Sequence, residues 1–190
     1  MSISLPIQSD RLSLKEFLDL PETKPASEYI NGKIYQKPMP KGKHSLLQGR
    51  LCETINQIAV PEKIAYSFPE LRCSFGGRSV VPDIVVFEWQ NLPLDDTGEI
   101  TDNIDIAPDW MIEILSLDQR NPRVIDNILH CLDDNTQLGW LIDPQDRSVL
   151  VFYPKQKPQF LEGEQILPVL GALGDWQLSV NELFSWLSFS

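Results

Sequence analysis

Residues 64–154 contain no lysine, and residues 79–119 contain neither lysine nor arginine. Cysteine is also scarce. Cys52, Cys73 and Cys131 form an odd, scattered set, with neither a disulfide framework nor a zinc-ligand spacing. Buried thiols in a reducing compartment follow, and a cytoplasmic protein is expected. No apolar run approaches the roughly 20 residues a membrane helix needs, so no membrane association is expected. Residues 1–10 have no basic start and no sustained apolar stretch, which argues against a secretory signal. There is no internal repeat or low-complexity tract. The 190 residues suit one domain spanning 1–190.

What is present is unevenly distributed. The net charge of −11 argues against broad binding to a polyanion. Yet residues 33–50 hold five basic side chains (Lys33, Lys37, Lys41, Lys43, Arg50) and no acidic one, whereas residues 79–119 hold ten acidic ones. An acidic cluster is usually solvated surface. It is otherwise a divalent-cation site, where the metal offsets the repulsion.

Local patterns give the elements. Ser13 with Glu16 three residues later is a capping box opening a short helix. Asn31-Gly32 separates Glu28-Tyr-Ile from Lys33-Ile-Tyr-Gln, a hairpin signal, and Pro38 and Pro40 end the second strand. Leu47, Leu51, Ile55 and Ile58 recur at helical spacing over residues 44–60. Residues 65–75 read as strand with Pro69 at an edge or bulge, and Gly76-Gly77 turns the chain. Residues 80–87 and 110–115 read as two buried strands joined by a long acidic loop. A helix near Pro122 buries Val124, Ile125, Ile128, Leu129 and Leu132. A strand pair, 138–142 and 148–153, turns at Asp143-Pro144. A short strand near Ile166 and a helix capped by Ser179 complete the order. The expected fold is α/β (α+β): a mixed sheet flanked by helices, with an N-terminal helix and hairpin. Trp110 and Trp140 are expected in the core, and His130 in a structural role.

Two of these apolar strands each carry a carboxylate. Asp83 interrupts residues 80–87 and Glu113 interrupts residues 110–115. A carboxylate there is costly unless paired or metal-bound. If the strands are neighbours, Asp83 and Glu113 converge. Two oxygen ligands completed by water and phosphate are what a Mg2+ (or Mn2+) site in phosphodiester chemistry requires. The bland alternative for Asp83 is a cap on a bulge at Pro82.

Val80-Val-Pro-Asp-Ile-Val-Val-Phe87, Ala107-Pro-Asp-Trp-Met-Ile-Glu-Ile-Leu-Ser116 and Gly139-Trp-Leu-Ile-Asp-Pro144 resemble the putative restriction endonuclease family of the PD-(D/E)XK nuclease superfamily. Glu28-Tyr-Ile-Asn-Gly-Lys33 and the helix opening at His44 are similar to it as well. The resemblance runs from about residue 13 to residue 187. It implies a restriction-endonuclease-like core, DNA as substrate, a divalent cation and frequent homodimers. It also implies Asp83 and Glu113 as catalytic metal ligands, the Ile114 carbonyl as a further ligand and Glu70 as an accessory carboxylate.

One part of the pattern is missing. The superfamily's lysine belongs two residues after Glu113, where this chain has Leu115. In the resembling family a lysine often stands on the following helix instead, and the matching position is Asn127, or Asp126 if shifted by one. Arg120 or Arg123 would supply charge but not a proton acceptor. Lys41 or Lys43 would have to reach in from the N-terminal segment. Lys41, Lys43 and His44 are also candidates for phosphate contact, against the bland reading of solvated lysines and a capping or surface histidine. Two functions stay open: a metal-dependent DNA endonuclease, and an inactive module on the same fold that binds nucleic acid or protein. Hydrolysis of another substrate by the same carboxylates is a third, weaker option.

Overall fold

The computed structural model describes residues 12–116 and 121–189. Arg120 and the N-terminal residues 1–10 lie outside them. Helix α1 (Leu14–Leu18) starts at the Ser13–Glu16 capping box. Strands β1 (Ser27–Ile30) and β2 (Lys33–Gln36) pair antiparallel, with Ile30 opposite Lys33. Asn31 and Gly32 between them take φ of 51° and 82°. Both central residues of a tight hairpin need such positive φ, which asparagine and glycine tolerate best. Helix α2 (Gly42–Ala59) begins two residues before the His44 expected to open it.

The next segments depart from expectation in an informative way. The single strand over residues 65–75 is two: β3 (Ala65–Pro69) and β4 (Cys73–Phe75). The single strand over residues 80–87 is also two: β5 (Arg78–Val80) and β6 (Ile84–Glu88). Pro69 and Pro82 account for the breaks, since neither has an N–H for the ladder. Glu70 turns the chain at φ 48°, and its N–H donates to the Asp83 carbonyl at 3.1 Å. Both chain segments therefore switch sheets side by side. Asp83 stands at the crossing rather than inside a strand.

Strand β7 (Trp110–Ile114), helix α3 (Asn121–Asp133) and strand β8 (Leu138–Asp143) make a parallel crossover. Strands β9 (Ser148–Phe152) and β10 (Gln159–Glu162) and helix α4 (Val180–Ser185) follow. The strand expected near Ile166 is a single bridge to Ser179. The strand present instead, β10, is a largely exposed edge whose burial leaves no alternating signal. Leu129, expected in the core, is 46% exposed, and Cys131 is buried on α3 in its place.

Two sheets result, β2-β1-β5-β4 and β10-β9-β8-β7-β6-β3. Alternation along the six-stranded sheet divides the core. Ile84, Val86, Ile112 and Ile114 pack with Leu47, Leu51 and Ile55 of α2. Val85, Phe87 and Met111 pack with Val124, Ile128 and Cys131 of α3. Truncating a fully buried leucine such as Leu51 to alanine costs about 3 kcal/mol in a core of this kind. Trp110 and Trp140 lie edge to face in the first cluster, their ring centroids 4.6 Å apart. Among the described residues no helix is long and apolar enough to cross a membrane.

Candidate active site

Strands β6 and β7 are antiparallel neighbours with Ile84 opposite Ile112. Extending that register by one residue brings Asp83 beside Glu113. Each is 1% exposed. Ile112 and Ile114 face the α2 side, so Glu113 between them faces α3. Asp83 is held on every side. Its Oδ2 accepts from the Ile114 N–H at 2.7 Å and from His44 Nε2 at 3.0 Å. Its carbonyl accepts from Gln48 Nε2 at 2.8 Å, besides the Glu70 N–H.

The cation that meets these carboxylates is Lys37. Its Nζ donates to Asp83 Oδ1 at 2.7 Å, to Glu113 Oε2 at 3.3 Å and to the Val81 carbonyl at 2.7 Å. Its side chain is 13% exposed. The hairpin delivers it: the Lys37 N–H still bonds to the Ala26 carbonyl at 2.8 Å, just past the end of β2. A third buried acid of this region, Glu28 on β1, lies next to the cluster. Its Oε1 accepts from the Val81 N–H at 3.0 Å and its Oε2 from Asn127 Nδ2 at 3.1 Å.

The electrostatics split the carboxylates. Burial works to raise Asp83, but Lys37 and His44 outweigh it and hold Asp83 well below the usual carboxylate range. For Glu113, burial is again the largest influence, and the charges of Asp83 and Glu28 add to it. Lys37 only partly opposes them, so Glu113 is raised well above its usual range. Burial also works against the Lys37 ammonium, yet Asp83, Glu113 and Glu28 raise it above the ordinary lysine range. Lys37 is thus a fixed positive charge.

The other expected residues are spread around and beyond this cluster. Glu70 is exposed, its backbone tied to Asp83, and it lines with Lys37, His44 and Asp83 a cavity of about 440 Å³. Lys41 and Lys43 are exposed at the start of α2 and line a neighbouring cavity of about 680 Å³ with His44, Leu115 and Ser116. His44 belongs to both cavities and is buried against Asp83, so the surface or capping reading does not hold for it. Its Nδ1 finds no partner among the described residues. The Ile114 N–H is what meets Asp83. Arg123 lies 3.7 Å over the Tyr35 ring and Asp126 pairs with Arg78 at 2.8 Å, so neither stands in for the lysine. His130 stacks on Phe75 and bonds to its carbonyl, a structural role as expected. The Asp143 side chain accepts from the Gln145 and Asp146 N–H groups, the expected turn.

Lys37 and Glu28 were not singled out from sequence as site residues. Their signal lay in the turn. Pairing Ile30 with Lys33 puts Glu28 opposite Tyr35, and Tyr35 and Lys37 share a face.

The profile of the Uma2 family, described as "Putative restriction endonuclease", matches residues 14–181. The chain belongs to this family. A crystal structure from Anabaena variabilis, described as a putative nuclease of a family of unknown function, is 51% identical, with a TM-score of 0.92. The alignment covers 93% of this chain and 99% of that one. No curated protein matches the chain. The expected family and the restriction-endonuclease-like α+β fold are thereby borne out.

Proposed function

We propose that this Uma2-family protein is a magnesium- or manganese-dependent nuclease that hydrolyses phosphodiester bonds in DNA. The observation that carries the reading is one ammonium, Lys37 Nζ, bonded to both Asp83 Oδ1 at 2.7 Å and Glu113 Oε2 at 3.3 Å. The two carboxylates that resemble the family's metal ligands converge on one cation. We read Lys37, one residue past the end of β2, as the counterpart of the lysine missing at Leu115. The rival reading, an inactive module, rests on that missing lysine and on the net charge of −11.

The donor set fits a hard divalent cation. Lys37 and His44 both meet Asp83, and Lys37 also meets Glu113, yet Glu113 stays raised, so the cluster has room for more positive charge. Among the described residues no group of three or more His, Cys, Asp or Glu is arranged to hold a metal. Magnesium accommodates this, because it binds through one or two carboxylates and keeps several waters for substrate phosphate to displace. Asp83 and Glu113 would hold the ion, with the Ile114 carbonyl as a further oxygen. Bound there, it supplies Lewis-acid polarisation of the phosphate and a more acidic water.

The chain's own groups divide the remaining work. His44 and the Ile114 N–H fix Asp83 Oδ2, leaving Oδ1 turned to the cation position. Lys37, held charged, acts as a donor to developing negative charge on the phosphoryl oxygens rather than as a base. Lys41 and Lys43 at the cavity mouth contact flanking phosphates, where Lys and Arg position a backbone without reading its bases. Glu70, at the other mouth, is an accessory carboxylate.

Calorimetric titration with manganese tests the site. Binding in the wild-type protein that disappears in Glu113→Gln supports the reading. No binding at millimolar manganese, together with DNA left intact in magnesium and in manganese, would sink it.

A further inference from the structure

Glu28 is 5% exposed and belongs to neither carboxylate motif. A carboxylate buried in a strand needs partners for both oxygens. Glu28 has them in the Val81 N–H and Asn127 Nδ2. The opposite end of Val81, its carbonyl, accepts from Lys37 Nζ at 2.7 Å. One residue thus links the acid to the ammonium. Lys37 consequently has two kinds of anchor. Asp83 and Glu113 are the groups a divalent cation would take over. The Val81 carbonyl, with the Glu28 charge behind it, is a hold that the cation leaves in place.

We infer that Glu28 is a positioning residue, which keeps Lys37 in the site when a divalent cation takes Asp83 and Glu113. This rests on the nuclease reading above. A cation entering the cluster competes for Asp83 Oδ1 and Glu113 Oε2 and repels the ammonium. Lysine is a compact charge on a flexible stem, and with no second hold it would leave for solvent. The Val81 bond retains it, and the Glu28 charge offsets the repulsion. Asn127, 2% exposed on α3, is the partner of that carboxylate: its amide donates to Glu28 while its own Oδ1 has no partner among the described residues.

That orphaned oxygen makes Glu28→Gln a clean test. The introduced amide still offers an oxygen to the Val81 N–H. A turned Asn127 amide can accept from the introduced nitrogen, so shape and hydrogen bonds persist while the charge goes. The experiment is nitrogen NMR of the lysine side chains in the full chain, with and without saturating magnesium. The Lys37 signal is identified by its loss in Lys37→Arg. In wild type the Lys37 ammonium protons should exchange slowly in both states. In E28Q with magnesium they should exchange at least about fivefold faster, and DNA cleavage should lose about tenfold in kcat with KM unchanged. A folded E28Q whose Lys37 exchange in magnesium matches wild type overturns the inference. Should E28Q fail to fold, wild type alone decides: slow exchange lost on adding magnesium overturns it, and slow exchange retained supports it. Magnesium that shifts no signal near Asp83 and Glu113 defeats the nuclease reading and this inference with it. That result is distinct from a protein that binds magnesium while Glu28 fails to hold Lys37.

Discussion

Lys37 Nζ lies 2.7 Å from Asp83 Oδ1, although the two residues are 46 apart in the chain. A hairpin end and a sheet-switching bend supply the pair. Neither feature belongs to the strand-based pattern by which such carboxylate sites are recognised.

Removing the ammonium leaves two buried carboxylates without their cation. Lys37→Met should therefore lower stability by about 3 kcal/mol in the presence of a chelator, as expected when one partner of a buried pair is deleted. Magnesium should restore much of the loss, because it binds the folded state alone. Thermal melts of both proteins with EDTA and with magnesium check this. A variant as stable as wild type in EDTA would show that Lys37 does not compensate the carboxylates.

The pH dependence has opposite signs for the two acids. Asp83 is depressed in the fold, so its contribution is present above its unfolded value, about pH 4, and is lost as pH falls through that value toward the folded one. Glu113 is raised, so stability falls as pH climbs from about 4.5, its unfolded value, through its folded value. Glu113→Gln should then be more stable than wild type at neutral pH without metal. The gain should vanish near about pH 4 and reverse in saturating magnesium. Lys37, raised above the lysine range, loses its contribution only in strong alkali. Denaturant titrations across pH measure these differences, and an E113Q protein less stable than wild type at neutral pH in EDTA contradicts the assignment.

Leu115 shares a sheet face with Glu113 and is only partly buried at the edge of the α3-side core. A lysine there should do what Lys37 does. Lys37→Met combined with Leu115→Lys should regain at least about tenfold of the cleavage rate lost by Lys37→Met alone. Cleavage rates of the two variants in magnesium decide the point, and no recovery in a folded double variant would count against the spatial equivalence.

Much of this arrangement was legible in the sequence. The capping box, the Asn31-Gly32 hairpin, α2, β7 and α3 follow from local patterns, whereas the Asp83–Glu113 pairing depended on the two strands being neighbours, which the β6–β7 pairing supplies. The sheet switches at Glu70 and Asp83 were hidden, because Pro69 and Pro82 look like minor interruptions in apolar runs and the change of sheet is a tertiary event. Strand β10 was hidden because an exposed edge has no burial period. Lys37 was in view as one of five basic residues. Charge counting could not tell it from Lys33 or Lys43, whereas the hairpin register combined with face alternation could have.

The proposed nuclease site depends on Lys37 acting with Asp83 and Glu113. Its most direct test is the initial rate of magnesium-supported DNA cleavage by wild type, Lys37→Met and Lys37→Arg at equal folded concentration. Expected are cleavage by wild type, a loss of at least about 100-fold in K37M and an intermediate rate in K37R. Cleavage by K37M within about twofold of wild type, or no cleavage by wild type at all, would contradict it.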